Sequence, residues 1–395
     1  MKLKFESDNM NIFVILSLTF FTSIIMMNYA YDLIMGDVFL YKTWANEVVG
    51  NNYIYGVNTS WVYPYFALIP ILTAKAISSF GVLYSYSWVL MIFILDLFAL
   101  ICFNNSFKDF KIKPYVYFGL STVMLFGLYL GRLDAFAIAL TIIGISLFKK
   151  HPTISIIILS IGLWIKIWPV AFIIAFFFID NKKIKFAAKV VAVNFIILFL
   201  PFLFGGSWSN ILGFLTSQKE RGVQLESMFG IPWLAGLGKT YFDDKLLTWQ
   251  FVGEGVAFSS QLSNYLLIFC VAITLVIGLI FGRKNHGNFT FAIMLGSILL
   301  MLLIIFNKVG SAQYAGWIII PVMFFAQIDY KKFKPIIWSG LTAILATGLA
   351  TPVLYDRIIS QDLLGITIIV IKYLAMIVTT FFMIKYIFSF KGSNE

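Results

Sequence analysis

The sequence predicts an all-α polytopic membrane protein, and three observations predict it. Of 395 residues, 61% are hydrophobic and only 12% charged, against roughly 25% charged in a soluble domain. Apolar stretches long enough to cross a hydrocarbon core of about 30 Å recur along the whole chain. The basic residues stand in short clusters between those stretches, the pattern of loops on one side of a bilayer. That scattering excludes a basic face for nucleic acid despite a formal charge of +11. Cys102 and Cys270 both fall inside apolar runs, with no disulfide framework and no metal-ligand spacing.

The pattern places helices near 11–30, 85–103, 114–130, 134–148, 153–165, 168–180, 189–204, 261–281, 289–306, 313–328, 335–350 and 364–387. These make about twelve crossings in a single transmembrane domain over 1–395. The first apolar run lacks a small-residue cleavage pattern and is expected to be retained. The segments 153–165 and 168–180 are short and separated by Pro169, so they read as a broken pair. The apolar segment 64–80 would invert everything downstream if it crossed. It is therefore expected to be an interfacial or re-entrant helix in the first outer loop.

Lys and Arg set the orientation. One side collects Lys2, Lys4, Lys108, Lys111, Lys113, Lys149, Lys150, Lys182, Lys183, Lys185 and Lys189. The same side continues with Arg283, Lys284, Lys331, Lys332, Lys334, Lys385 and Lys391. The opposite side has fewer, and Lys219, Arg221, Lys239 and Lys245 share one long loop. The first side is expected to be cytoplasmic, with both termini inside. Two long outer loops result, about 31–84 and 205–260, rich in Trp, Tyr, Gly and charge. Long ordered loops of this kind are usually functional.

Histidine is confined to His151 and His286 in expected cytoplasmic loops, so any acid–base work on the outer face falls to a carboxylate. Asp37, in Gly36-Asp37-Val38-Phe39-Leu40-Tyr41-Lys42-Thr43-Trp44, follows the first helix and reads either as a loop or capping residue or as a functional one. Trp61-Val62-Tyr63-Pro64-Tyr65 opens the interfacial helix and suits a membrane boundary. In Gly131-Arg132-Leu133-Asp134 the two charges are two apart and do not face each other on one helix, so each is expected to have a different partner or to point at a polar cavity. Lys166 lies between Trp164 and Trp168 at the helix break, where snorkelling and a fixed polar cavity are both open readings. Asn307-Lys308 leads through Gly310 to Gln313 and Tyr314, and a polar run from Arg221 to Ser227 includes Glu226. Asp96 is an intramembrane carboxylate. Arg132, Lys166, Lys308 and Arg221 all map to the outer side. Several cations beside an acidic loop suit an anionic lipid headgroup next to a general base.

Together and in order, these motifs resemble the C-type superfamily of polyprenyl-phosphate-sugar-dependent glycosyltransferases. The resemblance is greatest to the polyprenol-phosphate-mannose-dependent mannosyltransferases, which include the mycobacterial phosphatidylinositol-mannoside enzymes. It extends more distantly to the first mannosyltransferase of glycosylphosphatidylinositol assembly. It is carried over about 10–330 by Asp37, Tyr63-Pro64, Gly131 to Asp134, Lys166 to Pro169, Arg221 to Ser227 and Asn307 to Trp317. Met35 stands where many relatives have a first Asp, Tyr65 stands at the second proline of a Tyr-Pro-Pro pattern, and Gly310 and Ala312 replace a family Phe and Pro.

The resemblance implies an inverting, metal-independent transfer of a sugar, mannose in the nearest relatives, with no cofactor. The donor would be a polyprenyl-phosphate sugar, and the acceptor a glycolipid or cell-wall glycan hydroxyl on the extracytoplasmic face. Asp37 would be the general base. Lys166, Arg132, Lys308 and Arg221 would hold the donor phosphate, and Trp44, Trp61, Tyr63, Asp134, Glu226, Gln313 and Tyr314 would line the sugar and acceptor sites. The alternative is a transporter or flippase for a lipid-linked saccharide, which would use the cations without a base. Such transporters show broken helices in matching halves; here one break, near Lys166, stands out.

Overall fold

The computed structural model describes residues 7–107, 113–217, 221–244 and 248–390. Lys2, Lys4, Lys108, Lys111, Lys219, Lys245 and Lys391, part of the basis for the expected orientation, lie outside the described residues. In chain order the helices are α1 (Ser7–Met27), α2 (Tyr31–Asn51), α3 (Leu68–Ser78), α4 (Tyr84–Ser106), α5 (Pro114–Met124), α6 (Asp134–Leu147), α7 (Pro152–Ile165) and α8 (Val170–Ile179). They continue with α9 (Lys183–Phe199), α10 (Trp208–Ile211), α11 (Gly213–Ser217), α12 (Val256–Gly282), α13 (Phe289–Ile305), α14 (Ile319–Gly348), α15 (Tyr355–Ile359) and α16 (Leu363–Ile387). Strands β1 (Lys239–Asp243) and β2 (Thr248–Val252) form one antiparallel hairpin with Lys239 opposite Val252.

Six helical stretches among the described residues are long and apolar enough to cross a membrane: Asp8–Asn51, Tyr84–Ser106, Lys183–Phe204, Val256–Gly282, Ala312–Val353 and Leu363–Ile387. Their outward faces are oily. On α12, Ile268 and Phe269 are 67% and 61% exposed, which water would penalise and lipid does not. The chain is an all-α membrane protein carrying one small hairpin. The other apolar helices are 10–17 residues long. At 1.5 Å per residue, α6 and α7 reach only about 21 Å, short of a full hydrocarbon core. The segment expected to be interfacial forms α3 with 11 residues, also shorter than a crossing.

The first expected outer loop differs from its reading. Residues 31–51 are not loop but the continuous helix α2, separated from α1 by a 3-10 turn over Asn28–Ala30. Ile34, Met35, Val38, Tyr41 and Ala45 are its buried positions, the spacing of one helix face. Interspersed Asp32, Asp37, Lys42 and Glu47 hide that stripe from a hydropathy reading. The second expected loop is also structured, holding α10, α11 and the hairpin.

The chain divides into two compact units, Met1–Val170 with Ala187–Gln218, and Ala171–Phe186 with Lys219–Glu395. In the first, α6 packs on α7 and α4, α3 on α4, and α1 on α5. Ser155 Oγ on α7 donates to the Gly144 carbonyl of α6 at 2.6 Å. Tyr129 donates its hydroxyl to Asp96, 2.9 and 3.1 Å from the two carboxylate oxygens, which satisfies the buried acid of α4. The Tyr65 hydroxyl donates to the Ile197 carbonyl on α9. In the second unit α16 packs on α14 and α13, and α12 on α13. Backbone angles at Asp329 break α14, and the Asp329 carboxylate accepts from the Lys332 amide at 3.0 Å, capping the second half. This break falls between the two helices expected over 313–328 and 335–350.

Candidate functional site

In the first unit, Asp37, Tyr41 and Trp44 follow each other at i, i+4 and i+7 on α2, so their side chains share one stripe. The junction 128–133 is held against that stripe. Trp88 Nε1 on α4 donates to the Leu130 carbonyl at 3.0 Å, and the Trp88 ring lies 4.9 Å from Tyr41. Gly131 has no side chain to spare: a Cβ there would run into the Ile34 carbonyl of α2. That close approach delivers Arg132. Its guanidinium donates to the Ile34 carbonyl at 2.9 Å and meets the Asp37 carboxylate at 3.3 Å. Asp37 keeps 38% of its side chain exposed, against 13% for Arg132.

Two residues on, Asp134 opens α6 and takes the other cation. Lys166 has extended backbone after α7, and its amide donates to the Gly162 carbonyl at 2.9 Å. Its Nζ lies 3.1 Å from Asp134, with 11% and 3% of the two side chains exposed. The same ammonium sits 4.5 Å above the Tyr63 ring, a cation–π contact. Arg132 and Asp134 therefore have different partners, as their spacing predicts. Met35, beside this stripe on α2, is fully buried in the apolar core.

An aromatic cluster completes this side. Trp61 lies edge-on to Trp44 at 5.3 Å and to Tyr63 at 5.4 Å, and Trp44 lies 6.1 Å from Tyr63. Tyr55 joins it 5.6 Å from Trp61 and donates its hydroxyl to Glu47. Burial, and then the Glu47 carboxylate, raise the Tyr55 hydroxyl above its ordinary pKa. Among the described residues the Tyr41 hydroxyl and Trp61 Nε1 are buried without a hydrogen-bond partner. Buried polar atoms of this kind call for an explanation, and aromatic faces with spare donors suit a sugar.

The same unit holds an apolar cavity of about 460 Å³ between α3, α4, α6 and α7. Thr73 is the one polar side chain among its lining residues. Phe136 and Ile165 also line it. Phe136 lies two residues after Asp134, and Ile165 precedes Lys166, so two lining residues are close in sequence to the buried ion pair.

The other expected site residues belong to the second unit. The Lys308 carbonyl accepts from the Gln224 amide at 3.1 Å, and burial pushes the Lys308 ammonium below its usual pKa. Gly310 has φ +55°, and a Cβ there would strike the Ser227 backbone, so the loops at 224–227 and 307–310 pack backbone to backbone. Glu226 accepts from the Thr351 hydroxyl. Tyr314 lies 4.5 Å from Trp317 on the 3-10 helix Ala312–Ile318, which also holds half-buried Gln313. Arg221 is half-buried, with Nε lacking a hydrogen-bond partner among the described residues.

Sequence reasoning missed Tyr41, Trp88 and Lys372. Tyr41 and Trp88 carry no charge to mark them inside apolar stretches. Lys372 did leave a signal, as a single cation inside the apolar run of α16. It is 1% exposed, and its ammonium donates to the Glu226 carbonyl at 3.1 Å and the Gly310 carbonyl at 3.2 Å. Tyr373 adds a 2.8 Å bond to the same Glu226 carbonyl. Compared with known proteins, the chain matches no family model, no curated protein and no solved structure.

Proposed function

We propose that the chain is an integral membrane glycosyltransferase of the C-type kind. It moves a sugar, mannose by the resemblance of its motifs, from a polyprenyl-phosphate donor to a hydroxyl of a glycolipid or cell-wall glycan. The observation that carries the reading is one arrangement in the first unit. Two ion pairs and an aromatic cluster gather around α2, the 128–134 junction and Lys166, and Phe136 and Ile165, close in sequence to the Asp134–Lys166 pair, line an apolar cavity. That is the chemistry of the donor in order: sugar on aromatic faces, phosphate at the cations, isoprenoid chain against aliphatic side chains.

In the reaction, Asp37 takes the proton of the acceptor hydroxyl, and the freed oxygen attacks the anomeric carbon from the face opposite the phosphate. The bond from that carbon to the phosphate oxygen breaks, and polyprenyl phosphate leaves with the electron pair. Configuration inverts. Lys166 and Arg132 hold the charge that grows on the leaving phosphate. Asp134 keeps Lys166 aimed, and the exposure of Asp37 gives the acceptor access. Trp44, Trp61 and Tyr63 contact the sugar. Side-chain cations suffice, without a metal. The proposal includes cytoplasmic termini and an extracytoplasmic site.

The experiment is transfer of labelled sugar from a polyprenyl-phosphate donor by purified protein in lipid. Asp37→Asn, nearly isosteric, is expected to keep donor binding while transfer falls about 10²–10⁴-fold. Undiminished transfer by this variant removes Asp37 as the base. Movement of the intact lipid-linked saccharide across the bilayer without transfer favours a flippase.

A further inference from the structure

A second charged cleft lies in the other unit and plays no part in the reaction above. Its volume is about 610 Å³, and Lys182, Lys183, Lys185, Arg283 and His286 line it. Four fixed cations thus face one space. The nearest carboxylate on these segments, Asp180, is engaged by the Lys182 amide at 2.6 Å.

The cleft has a rigid frame. The connection after α8 supplies Lys182, the first turn of α9 supplies Lys183 and Lys185, and the connection between α12 and α13 supplies Arg283 and His286. A backbone bond from the Gly287 amide to the Ile179 carbonyl, at 3.0 Å, ties the two together. Gly282 lies so close to α8 that an added Cβ would stand 2.8 Å from the Phe178 carbonyl. The Asn288 side chain accepts from the Phe291 amide at 3.0 Å and caps α13, fixing the far end of the connection. Lysines that merely orient a chain in a membrane need no such frame.

Its height is also set. Arg283 directly follows the candidate span Val256–Gly282, and Lys183 begins the span Lys183–Phe204. Both basic segments therefore stand where hydrocarbon gives way to headgroups. Ile184, at the rim, is 86% exposed, an apolar side chain placed to enter lipid beside the cations.

We propose that this cleft binds the phosphate of an anionic phospholipid headgroup. Full-length protein in detergent is titrated with phosphatidylglycerol, phosphatidylcholine and inorganic pyrophosphate in separate arms, with native mass spectrometry as the readout. Each cation near a membrane surface strengthens anionic-lipid binding by about five-fold. Lys182→Gln with Arg283→Gln, at exposed positions, should therefore weaken phosphatidylglycerol binding about 25-fold, while Lys182→Arg with Arg283→Lys retains it. A photoreactive phosphatidylglycerol should crosslink within 181–186 or 283–287. Equal binding of phosphatidylglycerol and phosphatidylcholine, an unaffected Gln variant, or crosslinks only elsewhere would overturn the proposal. Pyrophosphate binding with the same dependence on these two cations would replace the lipid by a soluble phosphate.

Discussion

The pair Lys166–Asp134 offers the sharpest test, because both side chains are almost wholly removed from water. At 3.1 Å and an effective dielectric constant of about 20, their attraction is about 5 kcal/mol. Removing one partner forfeits that attraction and leaves the other charge buried without this counter-charge. Lys166→Met and Asp134→Asn are each expected to destabilise the protein by about 3–5 kcal/mol. Combining them removes both charges together. The double variant should therefore be more stable than the sum of the single effects predicts, with a coupling of about 2–3 kcal/mol. The measurement is equilibrium unfolding in mixed micelles, followed by tryptophan fluorescence, on all four proteins. Transfer activity is read in parallel. If Lys166 holds the donor phosphate, the double variant regains stability but not transfer. Additive single effects would show that the pair does not couple. Recovery of transfer with stability would reduce Lys166 to a strut.

Gly131→Ala is expected to destabilise by about 1–3 kcal/mol, because the new methyl meets the Ile34 carbonyl. Gly36→Ala, where a Cβ meets nothing within 4 Å, should instead stabilise α2 by up to about 1 kcal/mol; thermal melts that rank the two the other way refute the close approach. Lys372→Met removes the donor to the Gly310 carbonyl and should loosen the packing of 224–227 on 307–310 by about 1–3 kcal/mol. Hydrogen exchange at the Gln224 amide, bonded to Lys308, reads this directly, and an unchanged rate would mean that the lysine anchors nothing there.

The charged residues were the most legible part of the site. Arg132 and Asp134 announce separate partners by their spacing, and Pro169 announces the break at which Lys166 sits. What stayed hidden was how those partners are brought together. Asp37 reads as a loop residue because charges interrupt the apolar stripe of α2, and only the folded helix aligns it with Tyr41 and Trp44. Hydropathy also located α6 and α7 to within a residue, expected at 134–148 and 153–165 and found at Asp134–Leu147 and Pro152–Ile165. The packing of 224–227 on Gly310 joins residues far apart in the chain, and no local pattern marks it.

The bond from Tyr65 to Ile197 joins two residues distant in the chain into one constraint. In a continuous helix the Ile197 carbonyl would accept from the amide four residues on, but that residue is Pro201 and has no N–H. Lipid offers no replacement donor. The Tyr65 hydroxyl supplies it from a distant turn. A side chain at 65 without a hydroxyl would leave that carbonyl empty for as long as residue 201 is proline. The two positions are therefore bound together, with a tyrosine hydroxyl serving as a spare backbone amide.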